Sequence, residues 1–172
     1  MNIRFLKRRI QMECSQIPLL AVLISAGVAL FLGILIVVSG GSRYPFLYYY
    51  LPKGILPLFL MALFWSLSYG LLGALFGVFL FSRCDFGKCD RWYVAFLFLC
   101  TLILSYTWFP VIYRAGALFL GLLLCFLMIF CFCLLWGFLG YRSIVMFLGM
   151  VLYSVWLIYI LYYTFSLFLL NG

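Results

Sequence analysis

Five long apolar runs, separated by short polar segments, divide the chain at about residues 17–38, 55–81, 92–112, 117–139 and 144–170. A helix needs about 20 apolar residues to cross the hydrocarbon core of a bilayer, and each run reaches that length. Backbone N–H and C=O groups in lipid have to pair within their own segment, which continuous apolar runs achieve as α-helices. The sequence therefore predicts an all-α integral membrane protein: one domain over residues 1–172, built as a bundle of five transmembrane helices.

The composition argues against a soluble domain and against a nucleic-acid partner. Of the 172 residues, 70% are hydrophobic and 8% are charged, which is far from the mix of a typical soluble domain. A soluble chain of this size cannot bury so much apolar surface. The net charge of +8 is concentrated in the short segments that flank the apolar runs, as topology signals are. The lipid bilayer is the expected partner, and nucleic acid is not.

The distribution of basic residues predicts which way the chain crosses the membrane. With the N-terminus inside, eight of the eleven Lys and Arg residues lie in cytoplasmic segments, in line with the positive-inside rule. We expect a cytoplasmic N-terminus, with the first loop and the C-terminus on the opposite side. The basic residues before the first run resemble the start of a signal peptide, but the run is longer than the apolar region of most signal peptides. An uncleaved first helix is therefore expected, and cleavage near residues 39–42 stays open as the alternative.

The chain lacks the side chains from which most catalytic and metal sites are built. It contains no histidine, which removes the commonest catalytic base and metal ligand. The three acidic residues, Glu13, Asp85 and Asp90, all lie outside the apolar runs, whereas proton relays and ion pumps usually need charges at membrane depth. We expect no catalytic residue, no metal site and no required cofactor. Cys84 and Cys89 are poorly spaced for zinc, and unpaired thiols are favoured over a disulfide.

Aromatic side chains with polar tips follow one face of three predicted helices. In the second helix Pro57, Met61, Trp65 and Tyr69 recur every four residues and so lie on one face. The third and fifth helices carry similar stripes: Thr101, Ser105 and Trp108; Tyr153, Trp156 and Tyr163, with Thr164 beside it. Packing between helices explains each stripe alone. Three stripes in one small bundle predict an apolar pocket with a few hydrogen-bonding groups, suited to a planar lipophilic ligand.

Small residues on the second helix predict a close helix–helix contact. Gly73 and Gly77 form a GxxxG pair, which lets two helix backbones approach closely. Packing within the bundle is the favoured interpretation. A homodimer, or a contact with another membrane protein, stays open.

Taken in order, these residues resemble the motifs of the translocator protein family, also called tryptophan-rich sensory proteins (TspO/MBR). The matching positions are Tyr48, Leu51, Lys53, Pro57, Trp65, Tyr69 and Gly73 in the loop and second helix; Ser105, Trp108 and Pro110 in the third; and Tyr153, Trp156, Tyr159 and Tyr163 in the fifth. The chain departs from the family pattern at Leu56 and Leu152, where prolines are usual. It also carries Ser105 and Thr164 where asparagines are usual. The resemblance spans roughly residues 17–171 and implies the five-helix fold of that family.

The resemblance implies a pocket that opens towards the first loop and binds porphyrins, haem-like tetrapyrroles or sterol-like lipids. By similarity, its lining is predicted to be Tyr48, Leu51, Pro57, Trp65, Tyr69, Ser105, Trp108, Tyr153 and Trp156. The implied function is the binding, transport or sensing of planar lipophilic ligands. Two alternatives stay open. One is a structural or assembly protein that uses the Gly73–Gly77 face and binds no small molecule. The other is an enzyme that degrades a bound porphyrin in light through Trp65 and Trp156, which nothing in the sequence requires.

Overall fold

The computed structural model describes residues 18–40, 50–81, 88–139 and 143–172, and these residues form five α-helices. The helices are α1 (Leu19–Gly40), α2 (Leu58–Phe81), α3 (Lys88–Tyr113), α4 (Leu118–Leu139) and α5 (Ile144–Asn171). All five are long and apolar enough to cross a bilayer. The predicted all-α bundle with five membrane spans is confirmed, and the protein is a multi-pass membrane protein. Its orientation in the membrane stays a prediction.

Prolines and polar residues explain where helix limits differ from the prediction. Helix α2 begins at Leu58 rather than at residue 55, because Pro57 disfavours helical geometry in the residue before it. Helix α3 begins four residues early, at Lys88, and its polar first turn places Asp90 favourably for the helix dipole. The sequence predicts a stop or a kink at Pro110, yet α3 continues to Tyr113. A proline in the last turn costs few helical hydrogen bonds, so the helix can continue past it.

The helices form a ring in the order α1, α2, α5, α4, α3, and α2 and α3 also touch each other across it. Large apolar side chains cover the outside: Phe59, Phe130 and Val155 are each more than 60% exposed. A soluble protein rarely exposes an apolar surface of this extent. The same surface suits the hydrocarbon of a bilayer, which supports the lipid as the surrounding medium.

Charged side chains in the described part of the chain lie only at the two ends of the bundle. Helix α2 begins, and α3 and α5 end, at one end, which we call the Lys53 end because Lys53 lies there. Arg114, directly after α3, lies at the same end. Asp90 and Arg91 lie at the other end, where Arg91 donates a hydrogen bond to the carbonyl oxygen of Leu80 at 2.9 Å. The acidic residues Glu13 and Asp85, and the state of the Cys84–Cys89 pair, lie outside the described residues.

Helix α1 packs on α2 through small residues on both helices. A Cβ atom added to Gly73 would lie 2.7 Å from the carbonyl oxygen of Ser25, and one added to Gly77 would lie 3.1 Å from Cα of Val22. Such distances leave no room for a larger side chain, as in other glycine-mediated helix pairs. The Gly73–Gly77 face is therefore used within the bundle, and α1 covers it.

Replacing Gly73 by leucine should push α1 away from α2, because the new side chain would meet the α1 backbone. We expect a lower thermal midpoint in detergent, since overpacking of this kind costs about 1–3 kcal/mol. Gly137 of α4 is the matched control, because a Cβ added there meets nothing within 4 Å. Gly137→Leu should unfold at or above the wild-type midpoint, because leucine favours a helix over glycine. Equal losses in the two variants would contradict the tight α1–α2 contact.

Candidate functional site

Trp65 of α2 lies at the centre of an aromatic interior. Its indole stacks on that of Trp108 from α3, with ring centroids 4.3 Å apart, and meets Trp156 from α5 edge-on at 5.5 Å. Its N–H donates a hydrogen bond to the hydroxyl of Tyr69, one turn further along α2. Stacked and edge-to-face rings attract each other beyond the effect of burial alone. The stripes of three helices therefore meet at one residue.

Hydrogen bonds connect these rings to Ser105 of α3. The Tyr69 hydroxyl donates to the carbonyl oxygen of Ser105 at 3.1 Å. The Ser105 hydroxyl lies 2.9 Å from the sulfur of Met128 and shares a hydrogen bond with the Tyr153 hydroxyl, which is also 2.9 Å away. One serine thus links α2, α3, α4 and α5. We call the following five residues the interior cluster: Trp65, Tyr69, Ser105, Trp108 and Tyr153.

The interior cluster is packed rather than hollow. Trp108 is fully buried, and Trp65, Tyr69 and Tyr153 each keep at most 2% of their surface exposed. The rings that the sequence predicts to line a pocket fill the space between the helices with one another. Helical periodicity tells which face a residue occupies, but the space left between two faces depends on how the facing side chains interlock. A ligand at this position would have to displace the rings.

A second buried group of tyrosines lies next to the cluster, towards the Lys53 end. The hydroxyls of Tyr113 and Tyr163 are 3.0 Å apart, and Tyr113 also donates to the sulfur of Met61 at 3.5 Å. The Trp108 ring packs against both tyrosines, at 6.0 and 6.2 Å. Its own N–H meets no acceptor among the residues that the structure describes, although the thiol of Cys125 lies beside it. A bundle interior with so few polar groups is held chiefly by ring packing.

Sequence reasoning missed four residues that complete these networks: the buried Tyr113, Cys125 and Met128, and the half-buried Tyr106. Tyr113 follows Ser105 by eight residues, so helical periodicity could have added it to the stripe of α3. Tyr106 lies with its ring 4.6 Å from that of Tyr69, and its hydroxyl donates to the carbonyl oxygen of Ala29 at 2.8 Å. Cys125 and Met128 belong to a helix of Leu, Phe and Cys in which no position stands out. Only the packing identifies them.

A cavity of about 580 Å³ lies between α2 and α5, on the outer side of the interior cluster. We call it the α2–α5 groove; its lining is Leu56, Phe64, Leu67, Ser68, Leu71, Leu152, Val155, Trp156 and Tyr159. Leu152 and Val155 are each 64% exposed, so the groove opens towards the membrane. Trp156, half-buried, is the point at which its wall touches Trp65. The groove is therefore accessible from the bilayer without any movement of the cluster.

A second cavity, of about 430 Å³, lies at the Lys53 end beneath the segment that precedes α2. We call residues 50–57 the strap, and the cavity the strap cavity; its lining is Leu51, Pro52, Gly54, Ile55, Leu56, Pro57 and Met61. Gly54 has φ 84°, a backbone angle that favours glycine and lets the strap turn sharply. Leu56 lines both cavities. The strap cavity and the α2–α5 groove are thus neighbours.

Side chains of α5 hold the strap along its length. The amide of Asn171 exchanges two hydrogen bonds with the backbone of Tyr50, at 2.7 and 3.0 Å. The Tyr162 hydroxyl donates to the carbonyl oxygen of Lys53 at 3.0 Å. The N–H of Leu56 donates to the Tyr159 hydroxyl at 3.1 Å. The position of the strap therefore depends on three polar side chains from one helix.

The residues predicted to line a single pocket occupy three places. Trp65, Tyr69, Ser105, Trp108 and Tyr153 form the interior cluster. Trp156 lines the α2–α5 groove, and Leu51 and Pro57 line the strap cavity. Tyr48 lies outside the described residues. The predicted residues lie in or near the interior cluster, but the two cavities lie at the edge of the bundle.

No protein-family model and no curated protein matches this chain. Membership of the translocator protein family therefore stays a prediction that rests on the motifs quoted above. Among the residues described, no group of three or more His, Cys, Asp or Glu side chains is placed to hold a metal ion.

Replacing Tyr153 by phenylalanine should weaken the bundle without opening it. The change leaves Ser105 Oγ without one of its two side-chain partners in a dry interior, at a cost of about 1 kcal/mol. The measurement is the free energy of unfolding in mixed micelles titrated with dodecyl sulfate. Tyr93→Phe is the control, because Tyr93 is 44% exposed near the start of α3 and its hydroxyl bonds to no described residue. If both variants unfold like the wild type, the bond from Tyr153 to Ser105 carries no stability.

Proposed function

We propose that this protein binds a planar lipophilic molecule in the α2–α5 groove and takes it up from the bilayer. The observation that carries the proposal is the wall of the groove. The rings of Trp156 and Tyr159 lie nearly parallel there, 5.4 Å apart and inclined by 27°. Phe64 lies 6.1 Å from Trp156 at 32°. Trp156 thus lies between two aromatic neighbours, which gives the groove an aromatic wall, and small-molecule sites of about 300–1,000 Å³ are usual.

The few polar groups at the groove limit the kind of ligand that fits. The Ser68 hydroxyl donates to the carbonyl oxygen of Trp65 at 2.7 Å. The Tyr159 hydroxyl accepts from Leu56, and its own proton donates to no described residue. One free hydroxyl proton in an apolar wall suits a large hydrocarbon framework with few acceptors. Tetrapyrroles and sterol-like lipids, the classes that the family resemblance implies, have this character.

The charge distribution supports binding, sensing or passive transfer rather than ion-coupled transport. Within the described helices, no charged side chain lies between the two ends of the bundle. Ion-coupled carriers and proton relays place such groups at membrane depth. A ligand that enters from lipid and leaves into lipid requires no coupled charge.

The assembly hypothesis requires the Gly73–Gly77 face to be open to a partner, and α1 covers this face. Gly73 and Gly77 face Ser25, Ala29 and Val22 of α1 within the same chain. A partner helix could reach this face only if α1 left it. The lipid-accessible groove is therefore the feature that favours a small-molecule function.

Blocking the groove should abolish binding, and the chain offers a closely matched control. Val155 and Ile158 are both β-branched, both on α5, and 64% and 67% exposed, but only Val155 lines the groove. We expect Val155→Trp to weaken binding of protoporphyrin IX by about tenfold or more, a change of about 1.4 kcal/mol, and Ile158→Trp to leave it unchanged. The measurement is porphyrin fluorescence anisotropy in detergent, and addition of cholesterol tests whether a sterol competes for the same site.

Two results would count against the proposal. One is the absence of saturable porphyrin binding together with the absence of sterol binding. The other is an equal loss in Val155→Trp and Ile158→Trp, which would show that the ligand partitions onto the outer surface rather than into the groove.

A further inference from the structure

The α2–α5 groove and the strap cavity share one lining residue, Leu56. Its N–H is held by the hydroxyl of Tyr159, whose ring belongs to the groove wall. From Leu56 and Tyr159 the groove extends to Leu71 and Leu152, near the middle of α2 and α5. The two spaces together therefore run from the middle of the membrane to the Lys53 end of the bundle.

The chemical character changes along this path. The groove is walled almost entirely by carbon, as its lining shows. The strap cavity lies against a turn, where the N–H groups of Lys53 and Gly54 donate to no described residue. Lys53 is exposed. Its carbonyl oxygen accepts a hydrogen bond from Tyr162, which fixes the backbone from which the lysine side chain extends. A lysine at the end of a membrane span can keep its ammonium group at the interface while its stem lies on apolar surface.

The charge at the Lys53 end is positive and has no acidic side chain opposite it in the described structure. Lys53 and Arg114 are the charged side chains described there, and Asp90 lies at the other end of the bundle. An anion at the mouth of the strap cavity would thus be attracted by Lys53, which belongs to the strap itself. At a membrane interface such attraction is stronger than in bulk water, because the local dielectric constant is lower.

We propose that the groove and the strap cavity form one site for a lipophilic carboxylate, with its apolar body in the groove and its carboxylate beside Lys53. The inference rests on the proposed function, and it adds the head group and the orientation of the ligand. The body lies towards Leu71 and Leu152, and the head group reaches the Lys53 end past Leu56. This orientation matches that of an amphiphile in the adjacent leaflet, so the ligand can enter sideways without turning over.

A bromine-quenching experiment separates the head group from the body of the ligand. The probes are dibromostearic acid and its methyl ester, which share the tail and differ in charge. The assay is run in detergent at about pH 8.5, where the carboxylate is ionised and lysine stays protonated. A background of Trp92→Phe and Trp136→Phe leaves Trp156 as the groove indole, since Trp65 and Trp108 are buried. Bromine quenches indoles only at short range, so the saturable part of the quenching reports a probe bound beside Trp156.

In this background the acid should bind about fivefold more tightly than the ester, in the range expected for one partly exposed ion pair. Lys53→Gln should remove the preference for the acid and leave ester binding unchanged. Lys53→Arg should retain the preference for the acid. Arg114→Gln is the matched control, because it removes a cation from the same end without altering the strap. It should retain the preference.

Four results would overturn the inference. Equal affinity for acid and ester, or a preference that survives in Lys53→Gln, would leave the groove as a site but remove the carboxylate from it. An equal loss in Lys53→Gln and Arg114→Gln would show a general surface potential instead of a head-group contact. If neither probe quenches Trp156, the groove takes up no lipophilic carboxylate of this kind and the inference falls, whereas the porphyrin anisotropy assay tests the proposed function separately.

Discussion

Because a membrane interior holds no bulk water, a buried polar group has to find its partner inside the bundle, and here three such hydrogen bonds meet at Ser105. Its carbonyl oxygen accepts from Tyr69, and its hydroxyl contacts Tyr153 and Met128. The serine therefore couples four helices through one short side chain and one backbone group. Rotation of any of these helices would break a hydrogen bond that nothing else in the dry interior could replace.

The filled interior determines where a ligand can lie. Trp65 and Trp108 stack at 4.3 Å, and with Tyr69 and Tyr153 they take up the space that a central pocket would need. One open cavity lies at the seam between α2 and α5, on the side that faces lipid. Trp156 belongs to both regions, because it lines the groove and touches Trp65. A bound molecule would therefore contact the packed interior through a single indole.

The number and type of helices could be predicted because lipid permits only one secondary structure for long apolar runs. Spacing also predicted which residues share an interior: Trp65, Ser105 and Tyr153 do come together. Whether they enclose a space could not be predicted, because that depends on how rings from different helices interlock.

The contact between the strap and α5 at the edge of the candidate site could not be predicted from the sequence, for another reason. Its central hydrogen bond, from the N–H of Leu56 to the hydroxyl of Tyr159, joins residues 103 positions apart. No local pattern marks such a pair. The start of α2 at Leu58 is a different case, because it follows from Pro57, a local signal that the limits of the apolar run alone do not show.

Helix α1 differs from the others in how little of it the bundle buries: 11% of its most apolar stretch, against 33–50% in the other four. A helix of this kind is stable in lipid by itself, so its insertion and its association with the bundle are separate events. Because α1 precedes α2 in the chain, it has no docking face during synthesis until Gly73 and Gly77 of α2 have followed it. Helix α1 therefore has to be stable in lipid as a single helix until α2 has been inserted beside it.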